Sequence, residues 1–263
     1  MQKSKIEWCD STWNPVTGCK RGCEYCYARR IAARFGGYDK GDGTITTDNP
    51  LPRAELYQPL TITRSSGKTV NSPFPFGFEP TLLRYRLEEP QHIKKPQTIF
   101  VGSMADLFGS WVPTRWIVEV LDACAAAPQH RYMFLTKNPA RYLELDKVAL
   151  LPHLDNFWYG STAPDETAQA MYPKAEGINT FWSMEPLLGP VDITKSAGLP
   201  QWIILGAMSG PGSAQQQPER EWVEDIVRAA DGYGIPVFMK DSLKPVVGTG
   251  NMRRDLPWEV SRK

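Results

Sequence analysis

Long apolar runs are missing from this chain. No stretch approaches the ~20 residues that a membrane-spanning helix needs, so no membrane association is expected. The opening MQKSKIEWCD has no apolar core of the kind a signal peptide carries, and a reducing, cytoplasmic location is expected. Charge of one sign is missing too. Thirty Lys and Arg against 29 Asp and Glu leave a net +1, so no global basic excess announces a nucleic-acid binder. Histidine is scarce, and His92, His130 and His153 stand alone. Five cysteines is an odd number, which argues against a pure disulfide framework. SSGKT, at 65–69, lacks the spaced first glycine of a P-loop. What is left is a globular chain of 263 residues, 41% hydrophobic, long enough for a substantial core.

Three of the five cysteines crowd into one short stretch. Cys19, Cys23 and Cys26 are spaced C-x3-C-x2-C, with Tyr25 directly before the last. Three thiolates on one loop can hold three corners of a [4Fe-4S] cluster, because iron–sulfur clusters require this soft ligand. No fourth Cys lies close downstream, which leaves one iron open to a small molecule. The competing reading is half of a zinc site, completed by Cys9 or a distant His. Zinc sites usually come as paired C-x2-C knuckles, and no second pair exists here. Cys9 and Cys124 read as small buried residues.

The cysteine spacing with its aromatic residue resembles the signature of the radical S-adenosylmethionine (SAM) superfamily. The wider text is similar to a phage-associated radical-SAM-like subgroup. The segments that carry this likeness are IEWCDSTWNPVTGC, EYCYARR, TIFVGSMADLF, FLTKNPARY, SMEPLLGPVD and WIILGAMSGPG, which run from Ile6 to near the last predicted strand. Cys9 departs from the subgroup, which usually carries Thr there. The resemblance implies that Cys19, Cys23 and Cys26 ligate the cluster and that the open iron chelates the amino and carboxylate groups of SAM. It implies one-electron cleavage of SAM to methionine and a 5'-deoxyadenosyl radical. It also implies an electron donor such as flavodoxin or ferredoxin.

Elsewhere the chain alternates. From residue 98, apolar strand patterns at TIFVGSM, RYMFLTK, NFWYGSTA, NTFWSMEPL, QWIILGAMSG and IPVFMKD are separated by helical patterns. Those helices fall at VPTRWIVEVLDACAAAP, NPARYLELDKV, PDETAQAMYPKA and PEREWVEDIVRAADGYG. Repeated strand–helix units predict an α/β fold with a parallel sheet and right-handed crossovers. With a first strand over 12–17 this makes about seven strands, and the superfamily likeness implies a partial (β/α)6 TIM-like barrel with an added strand. YARRIAARFGG predicts the first helix, stopping at Gly36–Gly37. Its Arg29, Arg30 and Arg34 form either a solvated face or a cationic rim. Residues 38–98 read as an insertion and a possible lid, with a hairpin at TITRSSGKTV and a short helix in FEPTLLRYRLEEP. Residues 241–263 read as a loop-like C-terminal tail. One domain over 1–263 is expected.

Ligands of parallel α/β folds gather at the C-terminal ends of strands. The polar residues there are candidates for SAM contacts. Ser103 and Met104 would offer backbone acceptors to the amino group, with Asp106 beside them. GSMAD, 102–106, departs from the GGE that radical-SAM enzymes carry at this strand. By resemblance Tyr25 packs near the adenine. Lys137 is a candidate carboxylate partner, Ser161 and Thr162 are candidate ribose contacts, and Glu185 with the GAMSG turn completes the set. Thr162, Asp106 and Ser209 could equally be helix caps. Lys240 or Asp241 would face substrate. Three functions fit: a radical SAM enzyme acting on a nucleoside or nucleic-acid base, one acting on a peptide or small metabolite, and a non-enzymatic iron–sulfur or zinc nucleic-acid-binding module.

Overall fold

Continuous apolar runs in a strand need cover on both faces, and three strands of the largest sheet have it along their whole length. Thr98–Val101, Ile203–Leu205 and Val237–Met239 are buried at every position. They belong to a large, mostly parallel eight-stranded sheet in a mixed α/β fold. The computed structural model describes residues 1–36, 43–45, 55–64, 66–165, 177–196, 198–210, 213 and 216–260. The chain divides into two compact units, Met1–Lys5 with Cys9–Tyr132, and Ile6–Trp8 with Met133–Lys263.

In the first unit the strands are β1 (Gln2–Lys3), β2 (Ser11–Trp13), β3 (Val16–Thr17), β4 (Gly43–Ile45), β5 (Glu55–Leu56), β6 (Thr61–Arg64), β7 (Thr69–Asn71), β8 (Thr81–Leu83) and β9 (Thr98–Val101). The helices are α1 (Tyr27–Phe35) and α2 (Thr114–Ala125). β10 (Arg131–Thr136) starts at the end of this unit. The strand expected over 12–17 is two strands. β2 lies parallel to β9, whereas β3 pairs antiparallel with β8 in a separate three-stranded sheet, β3-β8-β5. Pro15, with no N–H to donate to a ladder, marks the break. The short helix expected in FEPTLLRYRLEEP is replaced by β8 and a 3-10 turn at Arg84–Arg86. Leu82 and Leu83 are buried between β3 and β5, and a run this short has no periodicity by which to tell strand from helix. The expected hairpin is present as β6 and β7, with β4 added antiparallel on its other side. Within the proposed lid, 38–42, 46–54 and 65 lie outside the described residues.

Glu55 ties β5 to α2. It accepts from Arg84 Nε at 2.5 Å and Trp116 Nε1 at 2.9 Å, and it pairs with Arg115. Arg84 reaches on to Glu119 at 2.7 Å. On α2, Cys124 is buried with Val120 and Leu121, as the alanine-rich sequence around it predicts.

In the second unit, α3 (Ala140–Lys147), β11 (Phe157–Thr162), β12 (Asn179–Met184), β13 (Ile203–Leu205), α4 (Arg220–Gly232), β14 (Val237–Met239), α5 (Lys244–Val247) and α6 (Pro257–Val260) follow in order. β11, β12, β13 and β14 are parallel neighbours in chain order. Val223, Ile226 and Ala230, at i, i+3 and i+7, form the buried stripe of α4 and join a core of Trp182, Met184, Ile203, Leu205, Val237 and Met239. Trp202 is fully buried among Phe181, Trp158, Trp258 and Phe238, with ring centroids 5.3–6.4 Å away. Tryptophan is therefore core material here. The tail is more ordered than its loop-like text suggests. Arg254 bridges to Phe238 beside β14, the Trp202 indole donates to the Asp255 carbonyl at 2.9 Å, and α6 closes the segment. The helix expected at PDETAQAMYPKA lies outside the described residues from 166 to 176.

The eight-stranded sheet runs in the order β1-β2-β9-β10-β11-β12-β13-β14, with β1 antiparallel at one edge and no closed barrel among the described residues. No helix among them is long and apolar enough to cross a membrane.

Candidate functional site

The cysteine loop leaves β3 through Gly18, whose φ of +89° favours a residue without a side chain. A Cβ there would sit 2.2 Å from the Glu79 carbonyl oxygen, so only glycine lets the loop pass this close to the 78–79 backbone. Gly18 N–H donates to the Met104 carbonyl at 2.9 Å and Cys19 N–H to the Phe78 carbonyl at 3.0 Å. Three stretches far apart in sequence are thereby fastened at the loop's first residues.

All three thiols of the loop are free and half-buried. Cys26 caps α1, with its sulfur accepting from Arg29 N–H at 3.4 Å. The Cys19 sulfur accepts from Arg21 N–H at 3.5 Å. Burial pushes the Cys19 thiol above its usual pKa; the Arg21 amide opposes this, while Asp106, Cys26 and Cys23 add repulsion. Among the described residues no three His, Cys, Asp or Glu side chains converge as a cage for a single metal ion.

The end of β9 stands beside this loop. Gly102 turns with φ +77° and donates to the Trp13 carbonyl at 2.8 Å. Asn14 then acts as a clasp. Its buried Oδ1 accepts from Met104 N–H at 2.8 Å and from Ser103 Oγ at 3.1 Å. The Ser103 carbonyl accepts from the Tyr27 hydroxyl at 2.6 Å, and the Met104 carbonyl from Gly18. Each of these backbone acceptors already serves one protein donor, and a carbonyl oxygen keeps a second lone pair. Met104 packs with Ala28, Ala32 and Phe74. Asp106 is buried, 3.9 Å from Arg21 Nε. Tyr25 is half-buried, its carbonyl 3.5 Å from an Arg30 guanidinium nitrogen. Cys9 turns to Ser4 Oγ at 3.3 Å.

The first unit thus gathers Cys19, Cys23, Cys26, Tyr25, Ser103, Met104 and Asp106 around one loop and one strand end. Lys137, Ser161, Thr162 and Glu185 stand in the second unit at the ends of β10, β11 and β12. Ser161 is buried, Lys137 and Thr162 half-buried. Glu185 forms an ion pair with Lys240 beyond β14. The pair runs over Gly206, where a Cβ would meet Glu185 Cγ at 3.0 Å and Lys240 Cδ at 3.3 Å. The Asp241 amide donates to both oxygens of Glu7, and Arg254 bridges Glu7 to the Asp241 carboxylate. Sequence reasoning missed Asn14, Tyr27 and the Glu185–Lys240 pairing. Asn-Pro was a visible signal for a turn, but it sat inside what read as a strand.

The sequence pattern of the family described as "Protein of unknown function (DUF5131)" matches residues 3–244, and the chain belongs to that family. No curated protein matches the chain. No solved structure matches it either.

Proposed function

We propose that the loop at Cys19, Cys23 and Cys26 holds a [4Fe-4S] cluster whose open iron takes S-adenosylmethionine, making the protein a radical SAM enzyme. The observation that carries this reading is the loop itself: three free, half-buried thiols within eight residues, with backbone N–H groups aimed at two of the sulfurs. Such donors are what tune and steady a thiolate-bound cluster, and they support this reading. When bound, the cluster and SAM would supply one-electron cleavage of the sulfonium C–S bond and hydrogen-atom abstraction from substrate. The protein's own part is positioning. Gly18 and Asn14 lock the loop to β9, and Cys26 anchors it to α1. The Ser103 and Met104 carbonyls, each with a lone pair to spare, would accept from the SAM amino group, with Asp106 beside them. Tyr25 would flank the adenine. The unreversed strand order supports a partial (β/α)6 barrel, because a doubly wound sheet reverses its order at the middle. Flavodoxin or ferredoxin would supply the electron.

The substrate class proposed is a nucleoside or nucleic-acid base. Anaerobic reconstitution with iron and sulfide, then assay of 5'-deoxyadenosine from SAM and dithionite, tests the chemistry. The wild-type chain should produce it and Cys23→Ala should not. Equal production by Cys23→Ala, or none from a wild-type chain that holds its iron, removes the enzyme reading. The latter result would favour a cluster-bearing binding module.

A further inference from the structure

Helix α1 has its large and small apolar residues on unexpected sides. Its buried positions are only Ala28 and Ala32, while Tyr27, Ile31 and Phe35 are 48%, 38% and 54% exposed. A surface helix ordinarily buries its large apolar residues. The three exposed residues fall at i, i+4 and i+8 and make one line along the helix. Arg30 and Arg34, also i and i+4, run beside that line and are exposed. The Arg34 guanidinium lies 5.3 Å from the centre of the Phe35 ring, presenting cation and ring together. The Tyr27 ring is held by its hydroxyl's bond to the Ser103 carbonyl.

The charge is as concentrated as the apolar surface. Residues 18–36 contain Lys20, Arg21, Arg29, Arg30 and Arg34 against the single Glu24, a net +4 within a chain of net +1. Lys20 and Arg21 face Glu79 and Asp106 at 3.3 and 3.9 Å. Among the described residues, Arg29, Arg30 and Arg34 have no carboxylate within ion-pair distance. Arg29 leans back over Phe78 and donates to the Cys19 carbonyl at 3.1 Å. Arg30 and Arg34 are the cations displayed beside the exposed rings.

We infer that this face of α1 docks single-stranded nucleic acid, with phosphates on Arg30 and Arg34 and bases stacked on Tyr27 and Phe35. Phosphates account for the cations, and the flat faces of unpaired bases account for the exposed rings. A duplex offers the phosphates but keeps its base faces stacked inside. An acidic peptide offers the charge without planar partners. The strand would run along α1 toward its N-terminal end, where Cys26 begins the helix. The inference rests on the proposed chemistry only for what happens to the docked base; docking itself needs no cluster.

The test uses the full chain as purified, without cluster or SAM. Fluorescence anisotropy follows labelled oligo-dT, oligo-rU and a duplex of equal length at about 50 mM and about 200 mM salt. Single strands should bind more tightly than the duplex, with affinity falling as salt rises. Arg30→Gln/Arg34→Gln should reduce the salt slope by about 1–2, and Arg30→Lys/Arg34→Lys should retain it. Phe35→Ala should weaken binding about tenfold. Arg228→Gln, an exposed cation on α4, should change nothing. Circular dichroism of each variant verifies that the fold is kept. Tight binding to either oligo-dT or oligo-rU supports the inference. It is overturned if single strands fail to bind at low salt, if the duplex binds as well, if an acidic peptide competes equally, or if Arg228→Gln costs as much as the double variant. Docking without SAM cleavage would retire the enzyme and keep this surface; SAM cleavage without docking would do the reverse.

Discussion

Replacing Gly18 with alanine should loosen the cysteine loop where it crosses another stretch of backbone. Two costs combine. A left-handed conformation penalises an L side chain by about 1–2 kcal/mol, and Gly18 sits at φ +89°. The new Cβ would lie 2.2 Å from the Glu79 carbonyl oxygen and 2.4 Å from its carbon, and backbone cannot step aside as a flexible side chain can. The loop must retreat, straining the Cys19 N–H bond to Phe78 at 3.0 Å and the Gly18 N–H bond to Met104 at 2.9 Å. At about 1 kcal/mol for each bond, the total comes to about 3–4 kcal/mol, a large part of the ~5–15 kcal/mol that holds a domain folded. Gly22 supplies the control, because its φ is +76° and a Cβ there would meet nothing within 4 Å. Gly22→Ala should therefore cost only the conformational part, about 1–2 kcal/mol. With a urea slope of about 2–3 kcal/mol per molar, the two midpoints should differ by about 1 M. Tryptophan fluorescence against urea reads this directly. Coincident midpoints for the two variants would refute the packing argument.

Asn14→Leu removes the acceptor of Met104 N–H and Ser103 Oγ within a buried turn. It should cost about 1–3 kcal/mol, whereas Asn14→Asp, which keeps an acceptor, should cost less; urea midpoints compare them. The Glu55 carboxyl is one acid-sensitive point of the first unit, and Glu89, paired with Arg86 and the N-terminal amine, is another. Burial pushes the Glu55 pKa up, but hydrogen bonds from Trp116 and Arg84 and the charges of Arg84 and Arg115 outweigh this and hold it below its ordinary value of 4.5. A depressed folded pKa gives stability that is present above the unfolded value and lost as pH falls through the folded one. The melting temperature should thus drop below about pH 4.5. Glu55→Gln should flatten that part of the profile, and an unchanged acid limb in the variant would remove Glu55 from the account.

The strand–helix alternation after residue 98 could be read because β13 and β14 are apolar along their whole length, β9 is apolar after Thr98, and α4 repeats its apolar residues at helical spacing. Short elements resisted the same reading. β3 and β8 have two and three residues, too few to repeat any pattern, and their pairing is with strands distant in the chain. The tail likewise takes its order from contacts made elsewhere, as Asp255 meets the Trp202 indole across more than fifty positions.

For the candidate site, the sequence by itself determined the donor set: three thiols at fixed short spacing, a glycine ahead of them and a helix behind. Spacing along a loop is a covalent property, so no fold was needed to see it. Only the tertiary structure decided that Asn14 clasps the 103–104 backbone, that Gly18 slides past Glu79, and that α1 turns Tyr27 and Phe35 outward while burying alanines. Each of these depends on which distant backbone comes alongside. That choice is made by the packing of the whole unit, and it leaves no local trace in the residues that obey it.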